Sequence, residues 1–279
     1  MSEAAFEFSH HAMGTRFGVR IAAADAAWAR QLAADAFREL ERLERELSRF
    51  VPESDVSRIN RLAVGETLRI GAAAYECLRL AAEVSAQTGG AFDVTAQLGR
   101  PVTAGALEVH PDTNAVTVRA DGVRVDLGGI GKGYAVDAMV EVLERWEAES
   151  ALVQGGESTV RGIGLAPDGG PWQAALRDPA DEAAPLAVVV LGARALSGSG
   201  VAVHGPHIVH PHSGRPAGGH SAAWALADSA ARADAFSTAF IVMDDAEVEA
   251  CCAAHPEVGA AVLSKGRDAA SIRYFGNWG

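Results

Sequence analysis

The chain has 279 residues, 49% hydrophobic and 22% charged, which suits an ordinary globular protein with a sizeable core. A formal net charge of −12 argues against nucleic acid as the main partner, because a phosphate backbone demands basic surface. Three cysteines, Cys77, Cys251 and Cys252, supply neither a disulfide framework nor a Cys-x-x-Cys pair.

In chain order, Phe17 to Ala22 alternates loosely and reads as a strand. Ala24 to Phe50 is a strong helix, with Trp28, Leu32, Ala36, Leu40, Leu43 and Leu47 at three- and four-residue steps and charges on the other face. Pro52 marks a turn, and Ser54 to Asn60 is a short helical piece capped by Ser54 or Asp55. A further amphipathic helix, Ala72 to Thr88, stops at Gly89-Gly90. Ala115 to Ala120 and Val123 to Leu127 are β-type runs around Asp121-Gly122, a hairpin signal. A helix from about Gly133 to Glu147 follows.

The second half carries β segments at Ala151 to Gln154, Thr159 to Ile163, Trp172 to Arg177, Leu186 to Leu191, His207 to Val209 and Ala222 to Ala227. Helices at Ser229 to Met243 and Asp245 to Ala254 precede strands at Gly259 to Ser264 and Ser271 to Phe275. Loops are expected at Gln97 to Gly105, Ala166 to Gly170 and Gly198 to Pro206. Without a clean βαβα alternation, the pattern favours an α+β fold with mixed or antiparallel sheets flanked by helices. None of these loops is long enough to link two domains, so residues 1–279 are expected to form one. No stretch approaches the roughly 18 uninterrupted apolar residues of a membrane span, and insertion into a membrane is not expected. The start of the chain lacks a basic segment followed by an apolar run, which makes the cytoplasm the expected compartment.

Chemistry concentrates in a few places. From Asp126 to Asp137, four glycines and Lys132 lie within six residues between a β-type run and a helix. Its spacing matches neither the P-loop nor the dinucleotide fingerprint. It reads either as a cradle for something phosphorylated, built on backbone and a helix N-terminus, or as a tight turn with glycines for packing. Asp234 and Thr238, four residues apart, share a helix face and offer hard oxygen ligands of the kind Mg²⁺ takes with phosphates; a capping Asp and a back-bonding Thr give the same pattern. His204, His207, His210 and His212 lack zinc-site spacing and a cysteine partner; His207, at a strand end, suits a general base. Thr88 to Thr95 joins a glycine pair to an aromatic, an acid and a threonine, and reads alone as a helix C-cap entering a loop.

Taken in order, Met13-Gly14-Thr15, Leu47 to Ser54 with Asn60, Thr88 to Thr95, Asp126 to Asp137, Leu152 to Gly156, Pro171-Trp172 through Pro179, Ser197-Gly198, His207 to Pro216 and Ala233 to Ala239 resemble the ApbE family, the FAD:protein FMN transferases. The resemblance implies an α+β fold with an FAD and Mg²⁺ cleft between two intimately packed halves. It implies cleavage of FAD to AMP and attachment of FMN through a phosphoester to Ser or Thr of an acceptor flavoprotein. Carried over, Asp234 and Thr238 are Mg²⁺ ligands, aided by the Gly129 carbonyl, with Ser237 a further candidate. Met13, Phe50, Ala91, Phe92, Asp93, Asp126, Lys132 and Ile208 become FAD contacts, and His207 the group that activates the acceptor hydroxyl.

The chain departs from the family pattern in a segment after Thr95 that is short relative to many relatives, and at three residues. Leu196 stands where threonine is usual, His210 where aspartate is usual, and Phe50 where tyrosine is frequent. These departures keep two alternatives in play, hydrolysis of FAD to FMN and AMP, and FAD binding without turnover.

Overall fold

A computed structural model describes residues 4–178, 181–200, 208–264 and 271–278. β1 (Ala4–Ala12) and β2 (Thr15–Ala23) form a hairpin whose two turn residues, Met13 and Gly14, both have positive φ (51° and 72°). That geometry matches the twist of the flanking strands. α1 (Ala26–Leu47) is capped by Asp25 and buries the expected stripe of Leu32, Ala36, Leu40, Leu43 and Leu47. It ends three residues before the predicted Phe50, because the backbone turns extended at Ser48. α2 (Asp55–Ile59), capped by Ser54, β3 (Thr67–Arg69) and α3 (Ala72–Gln87) follow.

β4 (Leu107–His110) and β5 (Ala115–Val118) complete a small sheet of order β3-β5-β4. After α4 (Gly131–Arg145) come β6 (Ala151–Gly155), β7 (Thr159–Ile163), β8 (Gln173–Asp178), β9 (Asp181–Val190) and β10 (Ala195–Gly200). The short β11 (Val209–His210) and β12 (Arg215–Pro216) precede β13 (Ala222–Ala227), α5 (Ala230–Val242), α6 (Asp245–Ala254), β14 (Gly259–Leu263) and β15 (Ile272–Gly276).

The fold is α+β, built on an eight-stranded sheet of order β1-β2-β6-β7-β10-β13-β14-β15. Every pairing among the described strands is antiparallel, so of the mixed and antiparallel options the second holds. Strand alternation divides the core in two. Ala223, Ala225 and Ala227 of β13 face α5 with the main core, whereas Ala222, Trp224 and Leu226 face the β8–β9 hairpin. Small residues on the first side let α5 lie close to the sheet. On the second, Trp172, Leu176 and Leu191 fill the layer; a buried large apolar side chain contributes roughly 1.5–3 kcal/mol. No helix among the described residues is long and apolar enough to cross a membrane.

Two expectations are corrected. Asp121-Gly122 is not a hairpin turn: β5 pairs instead with β4 and β3, and Val123 to Leu127 lies in no strand. Its backbone is bonded elsewhere, with Val125 N–H donating to Asn60 Oδ1 (2.6 Å) and Val125 O accepting from Asn60 Nδ2 (2.9 Å). The expected loop from Gly198 overlaps β10, whose glycines and serines look loop-like until β7 and β13 pair on either side. Strands β1, β3, β4 and β12 also escaped the sequence reading.

Helices α4 and α5 meet at their N-termini. A Cβ on Gly133 would lie 2.1 Å from the Ala230 carbonyl oxygen and 2.8 Å from Ala231 Cα, so only glycine permits the contact. Asp137 of α4 accepts from Ala230 N (2.9 Å) and Ala231 N (2.8 Å), in the first turn of α5, and pairs with Arg161. Asp234 of α5 accepts in return from Gly133 N, in the first turn of α4, at 3.1 Å. Each helix thus caps the other with a carboxylate, supplying partners to N–H groups a helix start leaves unbonded. Burial is the largest influence on Asp137 and pushes its carboxyl up, while Arg161 and the two N–H groups pull it back.

In an unobstructed helix, Gly→Ala stabilises by about 0.5–1 kcal/mol. Gly133→Ala is expected to reverse that sign and cost about 1–3 kcal/mol in urea denaturation, because the added methyl meets backbone. A second expectation concerns the thiols. Burial pushes Cys77 up, Cys251 to about 11 and Cys252 to about 12. All three are protonated at pH 8, and mass spectrometry should find iodoacetamide adducts only after denaturant is added.

Candidate active site

One cleft of about 850 Å³ gathers most of the predicted site residues: Met13, Ala91, Phe92, Asp93, Asp126, Gly129, Lys132, Ile208, Asp234 and Thr238 all line it. Three segments build its chemical end. The first is the glycine turn. Asn60 fixes Val125, Asp126 N–H donates to Val94 O (2.8 Å), and the Asp126 carboxylate accepts from Gly128 N (2.9 Å). The turn is therefore held by its own backbone and by a side chain from α2's end, without a strand.

The second segment is α5. Asp234 is 2% exposed and accepts from Gly133 N and, through Oδ1, from Ser197 Oγ (3.1 Å). Lys132 Nζ lies 3.6 Å from Asp234 Oδ2 and donates to Gly128 O (3.1 Å). Thr238 Oγ1 donates to the Asp234 carbonyl (3.1 Å), and a Cβ on Gly129 would approach that same hydroxyl to 3.0 Å. Asp234, Thr238, Gly129 and Lys132, drawn from positions about a hundred apart in the chain, therefore share one corner. Ser237 sits behind it: fully buried, off the cleft wall, it donates to Asp234 O (2.9 Å) and bonds Ser199 Oγ (2.8 Å).

The third segment is β10. Its period-two alternation turns Ser197 and Ser199 toward α5 and Leu196 into the hairpin core and the cleft wall. Thr159 Oγ1 on β7 bonds Ser197 Oγ at 2.8 Å and completes a hydroxyl relay onto Asp234. Sequence reading gave Ser197 no role, although alternating hydroxyls between small residues were the available signal. Trp224 joins the wall because Gly198 leaves room: a Cβ there would come within 2.6 Å of the indole.

Elsewhere on the cleft wall, Met13 N–H donates to Glu44 Oε1 (2.6 Å), tying the β1–β2 turn to α1. Phe92 N–H donates to Thr88 Oγ1 (3.2 Å), and Asp93 Oδ1 accepts from both Thr95 N and Thr95 Oγ1 (2.7 Å each). Phe50 is not on the cleft wall. It is 79% exposed, stacked under Arg49 (4.6 Å), and Arg49 in turn reaches Asp126 (3.4 Å). His207, the predicted base, and His204 lie outside the described residues, though Ile208 beside His207 is on the wall.

The donor chemistry fits a hard cation. Among the described residues no three His, Cys, Asp or Glu side chains cluster, which leaves no soft or acid-rich metal cage. One buried carboxylate, one hydroxyl and one backbone carbonyl suit Mg²⁺, which binds through one or two carboxylates and fills its shell with phosphate oxygens and water. Lys132 adds a positive charge at the same corner, where an anionic ligand would lie.

The ApbE family model matches residues 13–263. An FAD:protein FMN transferase of Vibrio cholerae is 25% identical over 268 residues, covering 84% of this chain and 80% of the relative. One of Haemophilus influenzae is 28% identical over 242 residues, covering 71% of this chain and 68% of that protein. Among solved structures, the flavin transferase ApbE from Vibrio cholerae superposes with a TM-score of 0.83 at 23% identity, covering 98% of this chain and 97% of that one, a likeness of fold.

The relay onto Asp234 has a measurable weight. Ser197→Ala removes a donor to a buried carboxylate oxygen and should destabilise the protein by about 1–3 kcal/mol in chemical denaturation. Thr159→Ala, which leaves the Ser197–Asp234 bond in place, should cost less.

Proposed function

The chain belongs to the ApbE family, and we propose that it is an Mg²⁺-dependent FAD:protein FMN transferase. It would cleave FAD to AMP and attach FMN by a phosphoester to Ser or Thr of an acceptor flavoprotein. The observation that carries this reading is the corner of buried Asp234, Thr238, Gly129 and Lys132 in the wall of one cleft. Its volume falls within the roughly 300–1,000 Å³ common for small-molecule sites. The names of the relatives, FAD:protein FMN transferases, support FAD as the ligand.

In this reading Asp234, Thr238 and the Gly129 carbonyl would hold Mg²⁺, which when bound would supply neutralising charge to the FAD pyrophosphate. Lys132, already beside that corner, offers its ammonium to a phosphate oxygen. Ala91, Phe92 and Ile208 give the flavin a buried apolar wall, and Met13, Asp93 and Asp126 border it. His207 would accept the proton of the acceptor hydroxyl as its oxygen attacks the FMN phosphorus. The bond from that phosphorus to the AMP oxygen breaks, and AMP leaves. Fixing both reactants in one cleft removes much of the barrier by orientation alone.

The test is incubation with FAD, Mg²⁺ and a flavoprotein, reading AMP release and an FMN mass increment on the acceptor. Asp234→Asn keeps an acceptor for Gly133 N–H but removes the charge, and should lower both readouts at least about a hundredfold, as should chelation of the metal. AMP release that ignores the acceptor would replace the transferase reading with FAD hydrolysis. Tight FAD binding without AMP would replace it with storage.

A further inference from the structure

The cleft is also bordered by β8, through Gln173, Ala174, Ala175 and Arg177. β8 and β9 form a two-stranded sheet of their own, so among the described residues β8 has no strand on its other edge. Hydrogen-bond parity shows what that edge offers. Leu191 N–H donates to Trp172 O (2.9 Å), which makes Trp172 and Leu191 a bonded pair. In an antiparallel ladder bonded and non-bonded pairs alternate. From the register, Ala174·Val189 and Leu176·Ala187 are bonded pairs, whereas the peptide groups of Gln173 and Ala175 point away from β9.

The two edges of this hairpin differ. β9 carries Pro185 in its ladder, a residue that blunts an exposed edge. Gln173 to Leu176 of β8 contains neither proline nor charge, and its edge meets the cleft over an apolar floor of Leu152, Val160, Leu196 and Trp224. That floor is continuous with the corner holding Asp234 and Thr238.

We propose that the β8 edge receives the acceptor: an extended segment of the acceptor flavoprotein pairs its main chain with Gln173 and Ala175 and so carries its Ser or Thr into the cleft. This rests on the transferase reading and adds how the protein substrate is recognised. Strand addition of this kind takes affinity from main-chain bonds and specificity from alternate side chains. Here the side chains on one face of the added strand meet the apolar floor.

The experiment uses a short synthetic peptide spanning the modified Ser or Thr of a flavoprotein that the enzyme labels. The peptide is N-methylated at one backbone position at a time, and Ala175→Pro and Ala174→Pro variants are assayed beside the parent. Strand addition predicts loss of labelling at every second methylated position. Ala175→Pro should raise the acceptor KM about tenfold while melting with the parent, because that N–H lies outside the hairpin ladder. Ala174→Pro breaks the ladder and should melt earlier. Labelling that shows no period of two, with Ala175→Pro matching the parent, would overturn the proposal and leave the transferase standing. So would labelling of the folded flavoprotein but not of its peptide, because main-chain pairing does not need the acceptor's fold. A parent enzyme that labels neither fails as a transferase, and the edge fails with it.

Discussion

The crossing of α4 and α5 is the constraint on which the site depends. Gly133 lets the two helix starts touch, and the pair of aspartates, each serving the other helix's N–H groups, holds them there. Asp234 is therefore both a structural cap and, in the proposed reading, the carboxylate that would hold the metal. Its burial is tolerable because Gly133 N–H, Ser197 Oγ and Lys132 surround it with donors and a positive charge. The hydroxyl relay from Thr159 through Ser197 extends that support to the neighbouring strands, so the corner is braced by helix and sheet together.

This arrangement answers how a chain of net charge −12 would accommodate the anionic ligand of the proposed function. The surface carries the negative balance, while the cleft corner holds the Lys132 ammonium and, in the proposed reading, would hold a divalent ion as well. Local donors outweigh distant exposed charge, which water and salt screen.

Much of this was legible in the sequence. The α1 stripe fixed its buried face because a period of 3.6 survives any tertiary context. Asp234 and Thr238 were readable as a pair because four residues bring side chains together on a helix. β10 was not legible: glycine and serine lack β propensity, and its identity as a strand comes from β7 and β13 on both sides. Val123 to Leu127 erred the other way, since its β-branched residues extend the chain but Asn60, not a strand, takes the hydrogen bonds. Phe50 was expected against the flavin. The helix stops at Leu47, and the shorter α1 leaves Phe50 in a turn facing solvent, a consequence of where one cap falls that no pattern of apolar residues announces.

The bond from Gly133 N–H to Asp234 spans 101 positions of chain. Several sheet pairings join near neighbours in sequence, such as β1 with β2, β6 with β7 and β14 with β15. Local hairpins close quickly, whereas contacts across long loops wait on chain entropy. The order of events in folding follows from that difference. On that ground the sheet's hairpins are expected to assemble first, and the corner that would grip a metal and a pyrophosphate only once the two halves of the sequence have met. An incompletely folded chain has no such corner, so the capacity to bind arrives with the finished fold.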